Sequence, residues 1–260
     1  MGAPSTRRDA AASASADDRG VTLFCLPCAG GMASSYSAWR QFLPPWLKVS
    51  PIELPGRGAR FNEPFIRSFV PLVNLVAQKI VETRPSRYAL FGHSFGALLA
   101  FECGHLMRAT GHPLPIALYA ACCPAPSLMP GNRHDRHWSD EALVREIQRL
   151  QGTPQEVLSQ PELRRIVLDR LAADFAVCRD YRYESGRDAL AWPIHVFGGA
   201  DDRDVPRDAL HGWQCESKAG TTVRVFPGGH FFFSADHAAL LASLQQSLAD
   251  LVRHPVDHAA

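Results

Sequence analysis

One stretch of twenty residues, YALFGHSFGALLAFECGHLM at 88–107, constrains the fold of this chain more than any other. A short apolar run enters Gly92-His93-Ser94-Phe95-Gly96 without an intervening loop, and ALLAFECGHLM continues as a helix closed by Gly111. A strand that is apolar throughout is covered on both faces, and such strands belong to parallel sheets flanked by helices. The five residues at the turn match G-x-S-x-G. Glycines two before and two after Ser94 leave room for a serine on a strained strand-to-helix turn, with its hydroxyl presented above the sheet.

The rest of the chain repeats the alternation. VTLFCLP (21–27) predicts a buried strand that runs into the Gly-rich turn PCAGG, and Ser34 to Leu47 predicts a helix punctuated by Pro44-Pro45. VSPIELPG (49–56) reads as a second strand and loop. A helix follows over 71–82, with Pro71 at its first position and apolar residues at 72, 73, 75, 76 and 80 on one face. PIALYAACC (115–123), PIHVFGG (193–199) and TTVRVFPGG (221–229) predict further strands, with a helix around 206–215 between the last two. A closing helix over 235–252 carries Leu241, Leu244, Leu248 and Leu251 at spacings of three and four. Strands alternating with helices predict an α/β fold with a mostly parallel sheet and helices on both faces.

The interval from about 125 to 190 breaks this rhythm. One crossover helix is expected there, yet the sequence supplies at least two helical segments, Ser139–Gln151 with Ser139 as N-cap and Pro161–Cys178. An insertion of this size between strands predicts a lid over a site. Residues 20–254 are then expected to form one domain with this lid. Residues 1–19, rich in Ala, Ser, Asp and Arg, and residues 255–260 read as mobile tails.

A serine nucleophile needs a base to take its proton and an acid to orient that base. In the α/β-hydrolase arrangement they follow in the order Ser, Asp or Glu, His. Of eleven histidines, His230 in PGGHFFF sits after a late strand and before the closing helix, where Gly228 and Gly229 let the chain turn. His93 adjoins the nucleophile and points away from it. His195 alternates inside a strand as packing, and His237, His254 and His258 read as solvated. For the acid, GGADDRDVP fits a G-x-x-D-x-x-V frame at Gly199, Asp202 and Val205, which favours Asp202 with Asp201 as its rival. Two backbone N–H groups must hold the developing oxyanion. One belongs to Phe95, and the other comes from PCAGG, at Ala29 or Cys28.

Composition narrows the classes. The 260 residues are 46% hydrophobic, too apolar for a disordered chain, and 27 basic against 26 acidic side chains disfavour a dedicated nucleic-acid binder. No run is long and apolar enough for a membrane span, and the first twenty residues lack the apolar core of a secretory signal. Met1-Gly2 with Ser5 and Thr6 makes at most a faint myristoylation start. Seven cysteines without an export signal read as a reduced, cytoplasmic thiol set. Cys25-x-x-Cys28 meets Ala-Gly-Gly rather than a helix, against a redox pair, and Cys122-Cys123 reads as buried packing. No metal or nucleotide signature is present in the sequence.

PCAGG, ELPGRGAR, GHSFGALLAFE, GGADD and GGHFFF, in this order and spacing, resemble the type II (editing) thioesterases of polyketide and non-ribosomal peptide synthesis over residues 21–252. The resemblance implies an α/β-hydrolase fold with a helical lid and hydrolysis of acyl thioesters on the phosphopantetheine arm of acyl or peptidyl carrier domains, with no other cofactor. It implies Ser94, Asp202 and His230 as a triad and the N–H groups of Ala29 and Phe95 as the oxyanion hole. Cys28 departs from the ring residue common before AGG, and Phe95 from the frequent Met; both bear on pocket shape. Carrier domains tend to be acidic, which directs attention to Arg57, Arg60 and Arg67 as a docking patch. The competing readings are a carboxylesterase acting on free small esters and a non-catalytic module that docks carriers.

Overall fold

The computed structural model describes residues 20–129, 138–150, 153–234 and 236–254. The two expected tails and His258 lie outside the described residues. Six strands form the described sheet: β1 (Val21–Leu26), β2 (Leu47–Pro51), β3 (Tyr88–His93), β4 (Leu118–Ala121), β5 (Ile194–Gly199) and β6 (Thr221–Phe226). Their order is β2-β1-β3-β4-β5-β6, and every neighbouring pair is parallel. Strand order reverses between β1 and β3, so the turns leaving their carboxyl ends part there and open a crevice.

Side-chain alternation splits the strands between two cores. Phe24, Leu26, Tyr88 and Leu90 join one cluster with α1 (Phe69–Thr83) and α2 (Phe95–Ala109). Leu23, Cys25, Ala89 and Phe91 join the other, with a 3-10 helix at Ala33–Gln41 and α7 (Ala238–Arg253). Every residue of β3 is buried, as a central strand requires, whereas the edge strand β6 is nowhere fully buried. That difference is why YALF reads as an unbroken apolar run and TTVRVF does not.

Two elements depart from the sequence reading. The helix expected over Ser34–Leu47 is a 3-10 helix ending at Gln41, and Leu47 already pairs with Val21 in β2. Pro44 and Pro45 remove two backbone donors and bias Leu43 away from helix. Tyr36 and Trp39, three apart, both bury in the core, which suits three residues per turn. Helix α1 starts at Phe69 rather than Pro71. Its first four N–H groups have no intrahelical acceptor, so Pro71 at the third position costs no hydrogen bond.

Between β4 and β5 the chain builds α3 (Asp140–Leu150), α4 (Gln155–Ser159) and α5 (Pro161–Asp180), where at least two helical segments were expected. The Ser139 hydroxyl accepts the Ala142 N–H at 3.3 Å, the expected N-cap. Leu143, Ile147, Leu158, Val167, Leu168, Leu171 and Phe175 give this insertion an apolar cluster of its own. Three polar ties hold α5 and its end to the body. Asp174 meets Arg57, Asp180 accepts the Phe69 N–H at 2.8 Å, and the Tyr181 hydroxyl donates to Glu102 at 2.8 Å. After β5, α6 (Arg207–His211) runs into a 3-10 turn whose Trp213 Nε1 donates to the Cys123 carbonyl at 2.8 Å and steadies the end of β4.

Candidate active site

Ser94 stands between β3 and α2 with φ 53° and ψ −115°, a conformation that costs a non-glycine residue roughly 1–3 kcal/mol. The surroundings hold it there. Its N–H donates to the Ala121 carbonyl at 2.7 Å, and the turn is packed so closely that a Cβ on Gly92 would run into the Gly96 carbonyl. One on Gly96 would run into the Leu26 carbonyl of β1. The spacing of the glycines therefore follows from backbone approach on both sides of the serine.

His230 lies in the turn after β6, and Asp202 in the turn after β5. The Nδ1–H of His230 donates to Asp202 Oδ2 at 2.8 Å, while Oδ1 accepts the N–H groups of Asp204 (3.0 Å) and Val205 (3.3 Å). Burial pushes the Asp202 carboxyl up, but the hydrogen bond and charge of His230 and the other donors outweigh it and leave it below the usual carboxylate range. Asp201 is exposed, and its backbone N–H is taken by the Gly228 carbonyl. With Nδ1 engaged, Nε2 is the ring nitrogen left for a proton transfer. Ser94 and His230 line one cavity of about 530 Å³, together with Ala29, Phe95 and, from the insertion, Leu171 and Phe175.

Ala29 and Phe95, the residues expected to supply the oxyanion donors, both line this cavity. Phe95 opens α2, where an N–H has no intrahelical acceptor. Ala29 sits in a turn closed by the Gly31 N–H on the Cys28 carbonyl at 2.9 Å, and among the described residues no hydrogen bond takes the Ala29 N–H.

Two neighbours escaped the sequence reading. His93 does point away from Ser94, but its Nε2–H donates to the backbone carbonyl of His230 at 2.8 Å, beneath the turn that carries the base. Burial, then the charge of His230, lowers its pKa to about 3. Nothing in the pattern G-x-S-x-G marks this contact, because it spans 137 residues. Cys122, read only as packing, brings its Sγ within 4.8 Å of the Asp202 and His230 ligand atoms. Cys, Asp and His are a metal-capable set, yet ligation needs the thiolate. Burial and Asp202 raise the Cys122 thiol well above its ordinary range, and Asp202 and His230 already bind each other.

The arginines separate. Arg57 is only 2% exposed and ion-pairs with Asp174 of α5 at 2.7 Å, so it is removed from the docking patch: its guanidinium faces a buried carboxylate. Arg60 pairs with Glu63 at the surface, and exposed Arg67 lies over the Phe65 ring at 5.8 Å. A shallow depression of about 310 Å³ joins Arg67 to Arg179 and Arg182, and these last two also line the large cavity. His195 stacks on Tyr119 as expected, whereas His237 corrects its expectation of a solvated ring: it packs on Phe42 with Nε2 buried. Cys25 and Cys28 are free thiols that burial pushes up, Cys28 to about 12, the opposite of a reactive redox pair.

A family model described as "Thioesterase domain" matches residues 21–248. The chain belongs to the thioesterase family. This thioesterase is 37% identical over 213 residues to the gramicidin S biosynthesis protein GrsT of Aneurinibacillus migulanus, covering 82% of each chain. ClbQ from the colibactin NRPS/PKS pathway superposes with a TM-score of 0.83 at 31% identity, over 89% of this chain and 98% of that one. RedJ, the thioesterase of the prodiginine pathway in Streptomyces coelicolor, superposes with a TM-score of 0.80 at 35% identity, over 87% and 89%. These neighbours carry the α/β-hydrolase fold, as expected. Among the described residues the thioesterase has no helix long and apolar enough to cross a membrane.

Proposed function

We propose that this chain is a type II thioesterase that clears acyl groups from the phosphopantetheine arm of acyl or peptidyl carrier domains in polyketide or non-ribosomal peptide synthesis. The observation that carries the chemistry is the 2.8 Å His230–Asp202 hydrogen bond on a cavity shared with a strained, turn-borne Ser94. The biosynthetic setting rests on relatives named for such pathways.

Asp202 holds the imidazole with Nδ1–H inward, so Nε2 takes the Ser94 proton as Oγ attacks the thioester carbon. The carbonyl oxygen gains charge and is held by the N–H groups of Ala29 and Phe95. Collapse expels the pantetheine thiolate, which takes the proton from His230 and leaves as the thiol. A thiol of pKa about 8.5 departs far more readily than an alcohol. Water, deprotonated by His230, then attacks the acyl-serine ester; the fatty or peptidyl acid leaves and Ser94 regains its proton. Every reacting group belongs to the chain or to water, and the phosphopantetheine arrives with the substrate.

The helices α3 to α5 serve in this reading as the lid, since Leu171 and Phe175 of the insertion line the cavity together with Ser94. Arg67, Arg179 and Arg182, which share one depression while the last two also line the cavity, suit the phosphodiester and acidic surface of a carrier, in place of the buried Arg57. A cytoplasmic location accords with seven free thiols. The test measures wild type and Ser94→Ala on an acyl-carrier protein and on a free p-nitrophenyl ester. Loss of at least about 10³-fold in Ser94→Ala on the acyl-carrier supports the reading. Full retained activity sinks it, and a wild type that turns over only the free ester points to a carboxylesterase instead.

A further inference from the structure

The loop after β1 has no regular structure of its own, yet the proposed chemistry needs its Ala29 N–H aimed to within a fraction of an ångström. Three hydrogen bonds tie four of its polar backbone atoms. The Cys28 carbonyl accepts the Gly31 N–H at 2.9 Å, the Gly30 N–H donates to Asp174 Oδ2 at 2.7 Å, and the Gly31 carbonyl accepts Arg57 Nη1–H at 3.2 Å. Asp174 and Arg57 bind each other through two parallel hydrogen bonds, Nη1 to Oδ2 at 2.8 Å and Nη2 to Oδ1 at 2.7 Å. Both are almost wholly buried, at 1% and 2% exposure.

The Cys28 carbonyl and the Ala29 N–H belong to one planar peptide unit and point in opposite directions. Tying the carbonyl to Gly31 turns the N–H the other way, and Ala29 lines the cavity that Ser94 shares. That turn needs Gly30 in its left-handed conformation, at φ 71°, and Asp174 grips the N–H of this very residue. A buried ion pair by itself says little about stability, since well-packed apolar residues often serve as well. Apolar residues here, however, would leave the Gly30 N–H and the Gly31 carbonyl without partners.

We propose that Asp174 and Arg57 are positioning residues for the oxyanion hole: together they clamp the Cys28–Gly31 turn and make its geometry depend on the seating of α5. Because Asp174 stands on α5, the donor is aligned only when this helix of the insertion is docked. The role rests on the reading that Ser94 is the nucleophile and Ala29 an oxyanion donor.

Asp174→Asn and Arg57→Lys test it, the first keeping an acceptor for Gly30 and the second keeping the charge. Hydrolysis of hexanoyl-pantetheine, affinity for octylboronic acid and thermal melting are measured on each full-length variant. The tetrahedral Ser94–boronate places an oxygen at the oxyanion position, which the ground-state substrate does not. The expected result is a 10- to 100-fold drop in kcat, KM within about threefold of wild type, a parallel loss of boronate affinity, and cooperative melting. Folded variants with kcat within twofold of wild type overturn the role. So does a kcat loss that leaves boronate affinity unchanged. If neither variant folds, amide exchange in the wild type decides: a Gly30 N–H held by Asp174 exchanges at least about tenfold slower than an open loop, and unprotected exchange overturns the clamp. A fluorophosphonate probe on wild-type Ser94 separates the two levels. Absent labelling fails the nucleophile reading itself, whereas labelling with unaffected variants fails only the clamp.

Discussion

His93 and His230, adjacent neither in sequence nor in role, are joined by a 2.8 Å hydrogen bond from the His93 Nε2–H to the His230 backbone carbonyl. Their rings lie 5.2 Å apart, and Phe231 and Phe233 close on the His93 ring edge-to-face at 5.2 and 4.9 Å. The residue preceding the nucleophile thus supports the turn that presents the base. Ser94 lines the cavity, whereas His93, the last residue of β3, packs on Phe233 of the opposite core.

Removing that support is expected to slow the reaction without touching a reacting atom. His93→Leu is expected to lower kcat about tenfold, the equivalent of one lost hydrogen bond at about 1.4 kcal/mol. His93→Gln, which keeps a donor, is expected to recover most of it. Steady-state kinetics on an acyl-pantetheine checks both; equal loss in the two variants points to packing rather than to the bond.

Stability is expected to fall on mild acidification. Burial holds His93 and His105 near pKa 3 and His195 near 4, all below the ordinary 6.5. Below pH 6.5 the unfolded chain binds protons that the folded chain refuses, so stability present at neutral pH is lost steadily toward pH 4 and ceases to change only near pH 3. For His93 alone the loss at pH 4 is about 3 kcal/mol. Urea midpoints between pH 7 and 4 measure it, and a flatter profile in His93→Gln than in wild type identifies the residue.

Asp202 and Asp201 adjoin in sequence but differ in surroundings. Asp202→Asn is expected to reduce kcat about 10³- to 10⁴-fold, because an amide in this place favours the wrong imidazole tautomer. Asp201→Asn, at an exposed position, is expected to stay within about twofold. Parallel kinetics of the two variants decide, and the opposite ranking overturns the assignment.

The elbow is expected to tolerate no added carbon at Gly96, whose Cβ would meet the backbone of β1. Gly96→Ala is expected to lower the melting temperature by several degrees or prevent folding, since a backbone carbonyl on a central strand has nowhere to move. A melting temperature equal to wild type contradicts this.

Carrier recognition is expected to shift from Arg57 to the exposed arginines. Arg67→Glu with Arg182→Glu is expected to raise KM for an acyl-carrier protein at least about fivefold while changing hydrolysis of a free acyl-pantetheine by less than twofold. Equal changes for both substrates indicate a structural role for these side chains.

The sequence by itself determined the parallel α/β arrangement and the place of Ser94. Hydrophobic runs report which strands are covered on both faces, and G-x-S-x-G reports a turn whose backbone approaches its neighbours too closely for side chains. Order along the chain likewise brought His230 and an aspartate of GGADD into view, because both follow strands whose carboxyl ends share one edge of the sheet. Contacts between distant segments were not legible. Arg57 in PGRGAR reads as part of a surface docking patch, and only the docking of α5, 117 residues away, supplies the buried carboxylate that turns it inward. His93 reads only as a side chain turned away from the nucleophile, and Cys122 as packing, until the turns after β5 and β6 supply their partners. Local pattern encodes which faces are buried; what a buried polar group meets there depends on long-range packing, and that was decided by the tertiary structure alone.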